Sequence, residues 1–179
     1  PELVLRGSGG HPVFRRRTGL TLGIVSRLTP IKQFPQMFAA IAPTLARRPG
    51  VNLEIFGSGG YASVRDLDRQ LAALPPGQVR FWGQQRDVGT VYRGIDYLLT
   101  GLPEKEALGL NVIEAQAAGT PVLAIAAPPF TETVVDGETG FLYGDPRQDG
   151  GAAFGNLLDA LLGGRSRPRP ELATEHLAR

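Results

Sequence analysis

Residues 106–127 read EALGLNVIEAQAAGTPVLAIAA. The first part is a helix candidate that Gly119 should stop. PVLAIAA (121–127) is then an apolar run with no polar side, the pattern of a strand covered on both faces. A strand of that kind needs helices above and below it, which points to a parallel α/β sheet. Two glutamates, Glu106 and Glu114, stand in this otherwise apolar stretch with seven residues between them. Carboxylates are rarely buried without a partner, so the pair demands a role.

Outward from this stretch, strand-like and helix-like segments alternate. TLGIVSR (21–27), VNLEIF (51–56), VRFWG (79–83), IDYLLT (95–100) and GFLY (140–143) read as strands. Phe34, Met37, Phe38, Ile41 and Leu45 form one helical stripe, and Tyr61, Val64, Leu67, Leu71 and Leu74 form another. Pro35 suits the first turn of the first helix and Pro43 should kink it. Shorter helices are expected at 88–92 and in FTETVVDG (130–137), and a longer one in GAAFGNLLDALLGG (151–164). The fold expected is α/β: a Rossmann-like parallel sheet of about six strands with helices on both faces, spanning 19–164. Residues 1–18 read as a linker with a solvated Arg15-Arg16-Arg17 run, for which a patch facing anionic lipid is the alternative. Residues 165–179 read as a tail that restarts a helix.

Of the 179 residues 42 % are hydrophobic, which suits a globular domain with a sizeable core. Nineteen Lys and Arg against 17 Asp and Glu leave a formal charge of +2, too small to argue for a nucleic-acid partner. There are no cysteines, so disulfides and thiolate metal sites are excluded, and a reducing, cytoplasmic setting is expected. No apolar run reaches the roughly 18 residues of a membrane helix. The chain begins Pro-Glu, which suggests a piece of something longer.

In parallel sheets of this kind ligands bind beyond the carboxyl ends of the strands. The loop after the first strand, SRLTPIKQ, holds Arg27 and Lys32 before a helix, either a phosphate clamp or two solvated cations. GSGGYA, after the second, matches a dinucleotide fingerprint weakly, and no acidic residue follows at the end of the next strand to hold a ribose. In LPEKEALGLN, Gly109 and Leu110 precede the helix and offer unpaired backbone N–H groups to an anion. Glu106 lies before them and Glu114 within the first turns. Carboxylates cannot pair with a phosphate, so the two would address hydroxyls on either side of it, the outline of a nucleotide diphosphate sugar. The alternative is that both are solvated and merely favour the helix start. No carboxylate cluster suits Mg²⁺. His11 and His176 fall in the linker and tail and look uninvolved.

The R-x4-K spacing of Arg27 and Lys32, the E-x7-E of EALGLNVIEA with AAGTPV after it, and TETVVDGETGFL (131–142) together resemble a known family. From about Leu22 to Asp145 the chain is similar to the C-terminal, donor-binding half of group-1 (family four) retaining glycosyltransferases of the GT-B fold. The resemblance implies that Arg27 and Lys32 bind the donor diphosphate. It puts Glu106 on the sugar hydroxyls, Glu114 on the ribose, and the backbone of Gly109, Leu110 and Asn111 on the phosphates. Gly83 and Gln84 would border the base, and Glu132 matches a further family glutamate with no role assigned. Glu106, Arg27 and Lys32 are the residues expected to carry catalysis, with no metal and no cofactor beyond the nucleotide-sugar donor. The chain departs from the family pattern at Ala107-Leu108, at Thr100 to Pro103, and at Gln33. The resemblance also implies a separate N-terminal acceptor-binding domain, a role in glycan or cell-envelope polysaccharide synthesis, and peripheral association at the inner face of the membrane. A phosphorylase is disfavoured, because its pyridoxal phosphate would need a lysine and only Lys32 and Lys105 exist. A nucleotide-sugar epimerase and a non-catalytic nucleotide-binding module remain as alternatives.

Overall fold

The computed structural model describes residues 2–3, 13–25, 33–57, 68–69, 71–105 and 110–164. Its strands are β1 (Glu2–Leu3), β2 (Leu20–Val25), β3 (Val51–Phe56), β4 (Val79–Gly83), β5 (Tyr97–Leu99), β6 (Val122–Ile125) and β7 (Gly140–Tyr143). They pair in parallel in the order β1-β4-β3-β2-β5-β6-β7. Apart from the two-residue edge strand β1, this is the Rossmann arrangement: the chain builds outward from β2 to one side, then returns to β5 and builds to the other. Six of the strands match those expected from the sequence.

The described helices are α1 (Gln33–Ala46), α2 (Val88–Gly94), α3 (Leu110–Ala117), α4 (Phe130–Thr133), α5 (Pro146–Asp149) and α6 (Ala152–Leu162). The helix expected over 61–74 lies largely outside the described residues, although Leu71 and Leu74 are buried. Helix α1 runs on through Pro43 in its last turn, forgoing the one bond that the Pro43 nitrogen cannot donate to the Ala39 carbonyl. Helix α5 was not anticipated: Asp145 caps it and Pro146 opens it, a short start signal that periodicity does not register.

Alternation along the strands divides the core in two. Leu22, Ile24, Leu53, Ile55, Phe81, Leu99, Leu123 and Phe141 point to the face covered by α1 and α6, where Met37, Phe38, Ile41, Phe154 and Leu158 meet them. Phe56, Trp82, Leu98, Val122 and Ala124 point to the other face, against Val91 and Tyr92 of α2, Val112 and Ala115 of α3, and Phe130 of α4. All four residues of β6 are buried, as two-sided cover requires. At about 1.5–3 kcal/mol for each large apolar side chain buried, these two clusters supply the main driving force for the fold.

Part of the segment expected to be a solvated linker is docked on the second face, over β3 and β4, as a strap. Phe14 packs edge-on against Phe56 and Trp82, with ring centroids 4.8 and 5.3 Å away. Arg16 pairs with Asp96 at 2.8 Å, and Arg17 donates to the carbonyls of Gly77 and Gln78, both at 2.8 Å. The strap covers a fully buried carboxylate, Glu54 in β3, which Arg80 of β4 grips at 2.9 and 2.5 Å and Arg17 approaches to 3.5 Å. Of the arginines read as solvated, Arg17 therefore stands beside a buried carboxylate and Arg16 pairs with Asp96.

Candidate functional site at the carboxyl edge of the sheet

Strands β2 and β5 are neighbours whose connections leave in opposite directions, so the crevice of the fold opens where β2 ends at Val25 and β5 at Leu99. Asn111, in the first turn of α3, spans this point. Its Nδ2 donates to the Val25 carbonyl at 3.2 Å, and its Oδ1 accepts from Val112 N at 3.0 Å. The helix start expected to face the phosphates is thus fastened to the last residue of the first core strand.

Helix α3 is held at two further places. Gln116 Nε2 donates to Thr133 O at 2.8 Å, which fixes α3 to α4. Thr120 Oγ1 donates to Tyr92 O at 2.6 Å, which fixes its C-terminal end to α2. Gly119 stops the helix at φ +81°, a conformation glycine adopts without strain, and Thr120 N bonds back to Ala115 O at 2.8 Å. Three side-chain hydrogen bonds to three different elements leave the helix little freedom to roll, so the direction in which Glu114 projects is preset.

Glu114 itself is exposed, as is Ile113 beside it, while Val112 and Ala115 face the core. The tension read from the sequence, a carboxylate in an apolar helix, is resolved by exposure: the apolar face is narrower than the composition suggested. Its charge still reaches inward. The Tyr92 phenol is pushed well above its usual range, first by burial and then by the Glu114 carboxylate.

The loop after β4 lies on the same face. Gly83 adopts φ +75° at a break in the β3–β4 register, and its carbonyl accepts from Gly57 N at 3.0 Å. Gln84 is exposed beyond it. Gln85 accepts from Phe14 N at 3.1 Å and donates to Trp82 O at 3.3 Å, which secures the loop to the strap. Among the described residues, the buried side-chain atoms Trp82 Nε1, Tyr92 Oη, Thr100 Oγ1 and Tyr143 Oη have no hydrogen-bond partner. A buried polar atom without a bond costs about 1–3 kcal/mol, so each of them is a local cost to the fold.

Of the residues singled out from the sequence, Arg27, Lys32, Glu106 and Gly109 lie outside the described residues. Leu110, Asn111 and Glu114 come together on α3, and Gly83 and Gln84 stand at the end of β4. Glu132 is exposed in α4. Among the described residues no group of three or more His, Asp or Glu is placed to hold a metal ion, and no helix is long and apolar enough to cross a membrane. Sequence reasoning missed the ionic group Glu104–Arg147–Asp145, which joins the loops after β5 and β7. Glu104 and Arg147 are 43 positions apart, and no periodicity links them.

A doubly wound parallel sheet with a helix N-terminus tied across its switch point is a Rossmann-like domain. The model of the family Glycosyl transferases group 1 matches residues 14–164, and the chain belongs to that family. It is 33 % identical over 181 residues to a D-inositol 3-phosphate glycosyltransferase of Nocardia farcinica, covering 90 % of this chain and 38 % of that protein. The chain therefore spans well under half the length of this curated relative. Among solved structures it is similar to the pneumococcal O-GlcNAc transferase GtfA in complex with UDP and GlcNAc, with TM-score 0.67 and 20 % identity over 97 % of this chain and 34 % of that one. It is also similar to Anabaena Alr3699/HepE in complex with UDP, with TM-score 0.66 and 23 % identity over 84 % of this chain and 41 % of the other. At these identities the structural likeness establishes the fold alone.

Proposed function

We propose that this chain is the donor-binding half of a retaining glycosyltransferase and takes a nucleotide diphosphate sugar. The observation that carries the reading is the fixed N-terminus of α3, joined to Val25 through Asn111, with Glu114 exposed one turn further on. In this reading the helix start receives the diphosphate, where its N–H groups and dipole favour negative charge. Glu114 accepts hydrogen bonds from the ribose, Glu106 from the sugar, and the loop at Gly83 and Gln84 borders the base. Arg27 and Lys32 stabilise the charge that develops on the leaving diphosphate as the anomeric carbon becomes oxocarbenium-like. No metal is needed when two cations and a helix terminus do this work. The UDP held by the two structural neighbours supports a nucleotide donor. The name of the curated relative points to a polyol phosphate as acceptor, which a second domain would bind. A purely nucleotide-binding module would share the first half of this reading and lack the transfer.

Calorimetry of the chain in EDTA against UDP, GDP and ADP tests it, with millimolar or tighter binding of at least one expected. Glu114→Ala should weaken the free diphosphate and its sugar ester alike. The loss of a hydrogen bond to a charged group is about 1.5–3 kcal/mol, or about 10- to 150-fold in affinity. No binding of any nucleoside diphosphate, or an unchanged Glu114→Ala variant, overturns the donor-site reading.

A further inference from the structure

The strap over β3 and β4 touches both edges of the sheet. At the amino edge Arg17 donates to the carbonyls of Gly77 and Gln78, which lead into β4, and Arg16 pairs with Asp96, just before β5. At the carboxyl edge Phe14 lies against Phe56, the last residue of β3, and against Trp82, near the end of β4. The ring also reaches α2. A Cβ on Gly94 would stand 2.8 Å from Phe14 Cε2, so the contact exists because that position has no side chain. Residues 13–17 thus run along the strands from the carboxyl edge to the amino edge.

The Phe14 end is built into the loop after β4. The β3–β4 register slips between Ile55 and Phe56, so that Phe56 pairs with Gly83 and Trp82 is the extra residue of a bulge. Gly83 then turns at φ +75°, and Gln84 is exposed. Gln85 closes this turn with both ends of one amide. Its Oε1 accepts from Phe14 N at 3.1 Å, and its Nε2 donates to Trp82 O at 3.3 Å. One side chain therefore bridges the strap and the bulge, and the exposed Gln84 is placed by what holds its neighbours.

We propose that Gln85 and Phe14 are positioning residues for the nucleobase: the docked strap holds the Gly83–Gln84 turn in the shape that borders the base, so strap docking and nucleotide binding favour each other. This rests on the reading of Gly83 and Gln84 as the border of the base. A loop that keeps its binding shape only part of the time weakens its ligand by that fraction. Coupling between two equilibria is reciprocal, so the nucleotide must in turn hold the strap down. The arginine contacts at the amino edge keep the strap attached when Phe14 lifts, which makes the event a local opening and not an unfolding.

Calorimetry of the 179-residue chain with UDP, GDP and ADP compares the parent with Gln85→Ala, Phe14→Ala and Phe14→Leu. The two alanine variants should each weaken the best-bound nucleotide about 2- to 10-fold, the range that one neutral hydrogen bond spans. Phe14→Leu keeps an apolar side chain between Phe56 and Trp82 and should recover part of the loss. Hydrogen exchange of the parent supplies the reciprocal readout and needs no variant to fold. Saturating nucleotide should slow the Phe14 amide by a similar factor and leave unchanged the amide of Thr90, which Asp87 caps at the exposed start of α2. Unchanged affinity in both alanine variants, or a Phe14 amide indifferent to nucleotide, overturns the coupling and leaves the donor site standing. Equal slowing at Phe14 and Thr90 overturns it as well, since that would mark a general tightening of the fold. If the parent binds none of the three nucleotides, the donor-site reading fails and this inference fails with it.

Discussion

Replacing Glu54 by alanine should cost the domain a large share of its stability. The carboxylate is 0 % exposed in the middle of β3, and Arg80, itself 14 % exposed, grips it through Nε and Nη2. Breaking a buried pair from one side typically costs about 3–5 kcal/mol, because the remaining charge is left unpaired in a poor solvent. Two features lower that figure here. Arg80 keeps a bond to Arg15 O at 2.8 Å and lies 4.6 Å from the centre of the Trp82 ring. Arg17 is held independently by two carbonyls. The expected loss is therefore about 2–4 kcal/mol, out of a total of about 5–15. For a chain of this length that lowers the melting temperature by about 4–16 °C, which thermal and urea unfolding can both measure. The same variant should accelerate hydrogen exchange at the Phe14 amide, which bonds to Gln85 across the strap. Removing both charges as Glu54→Leu with Arg80→Met should recover most of the loss, since an apolar pair of similar volume pays no desolvation. A Glu54→Ala variant within about 0.5 kcal/mol of the parent would show that the pair contributes no more than a surface contact. It would refute the argument that Glu54 is a buried charge whose loss strands its arginine partner.

Gly23→Ala should destabilise by about 1–3 kcal/mol, because a Cβ there would meet Ile95 Cδ1 at 2.5 Å and Cγ2 at 2.9 Å. Adding Ile95→Ala should restore part of the loss; no rescue in urea unfolding would locate the strain elsewhere. The Arg147 guanidinium holds the carboxyl groups of Asp145 and Glu104 below their usual values, chiefly through its hydrogen bonds to them. Stability from depressed carboxylates is present above their ordinary values near about 4 and is lost as pH falls through the folded values. The gap between the parent and Arg147→Met should thus be at most about 1 kcal/mol at pH 7 and narrow below about pH 4; a gap that widens with acid would overturn this.

Most of the sheet was legible because its signals are local. Each core strand is a short apolar run, and α1 and α6 each lay one apolar stripe on it, so alternation gave the fold class and the carboxyl edge gave the place to search. Asn111, Glu114 and Gly83 could be located for the same reason, as neighbours in sequence of strand ends and helix starts. What stayed hidden is pairing at a distance. Arg147 and Glu104 meet only because β5 and β7 flank β6, a fact of topology. The strap was misjudged because glycine and arginine content describes a solvated segment equally well. Yet one residue carried a signal of pairing. Glu54 stands inside VNLEIF, where the strand is buried along its whole length, and a carboxylate at such a position requires a cation brought from elsewhere. The cation comes first from the neighbouring strand, as Arg80 of VRFWG, with Arg17 of the strap further off. A buried charge in one strand thus asks for an arginine on the strand beside it, and the strap itself had no such signal.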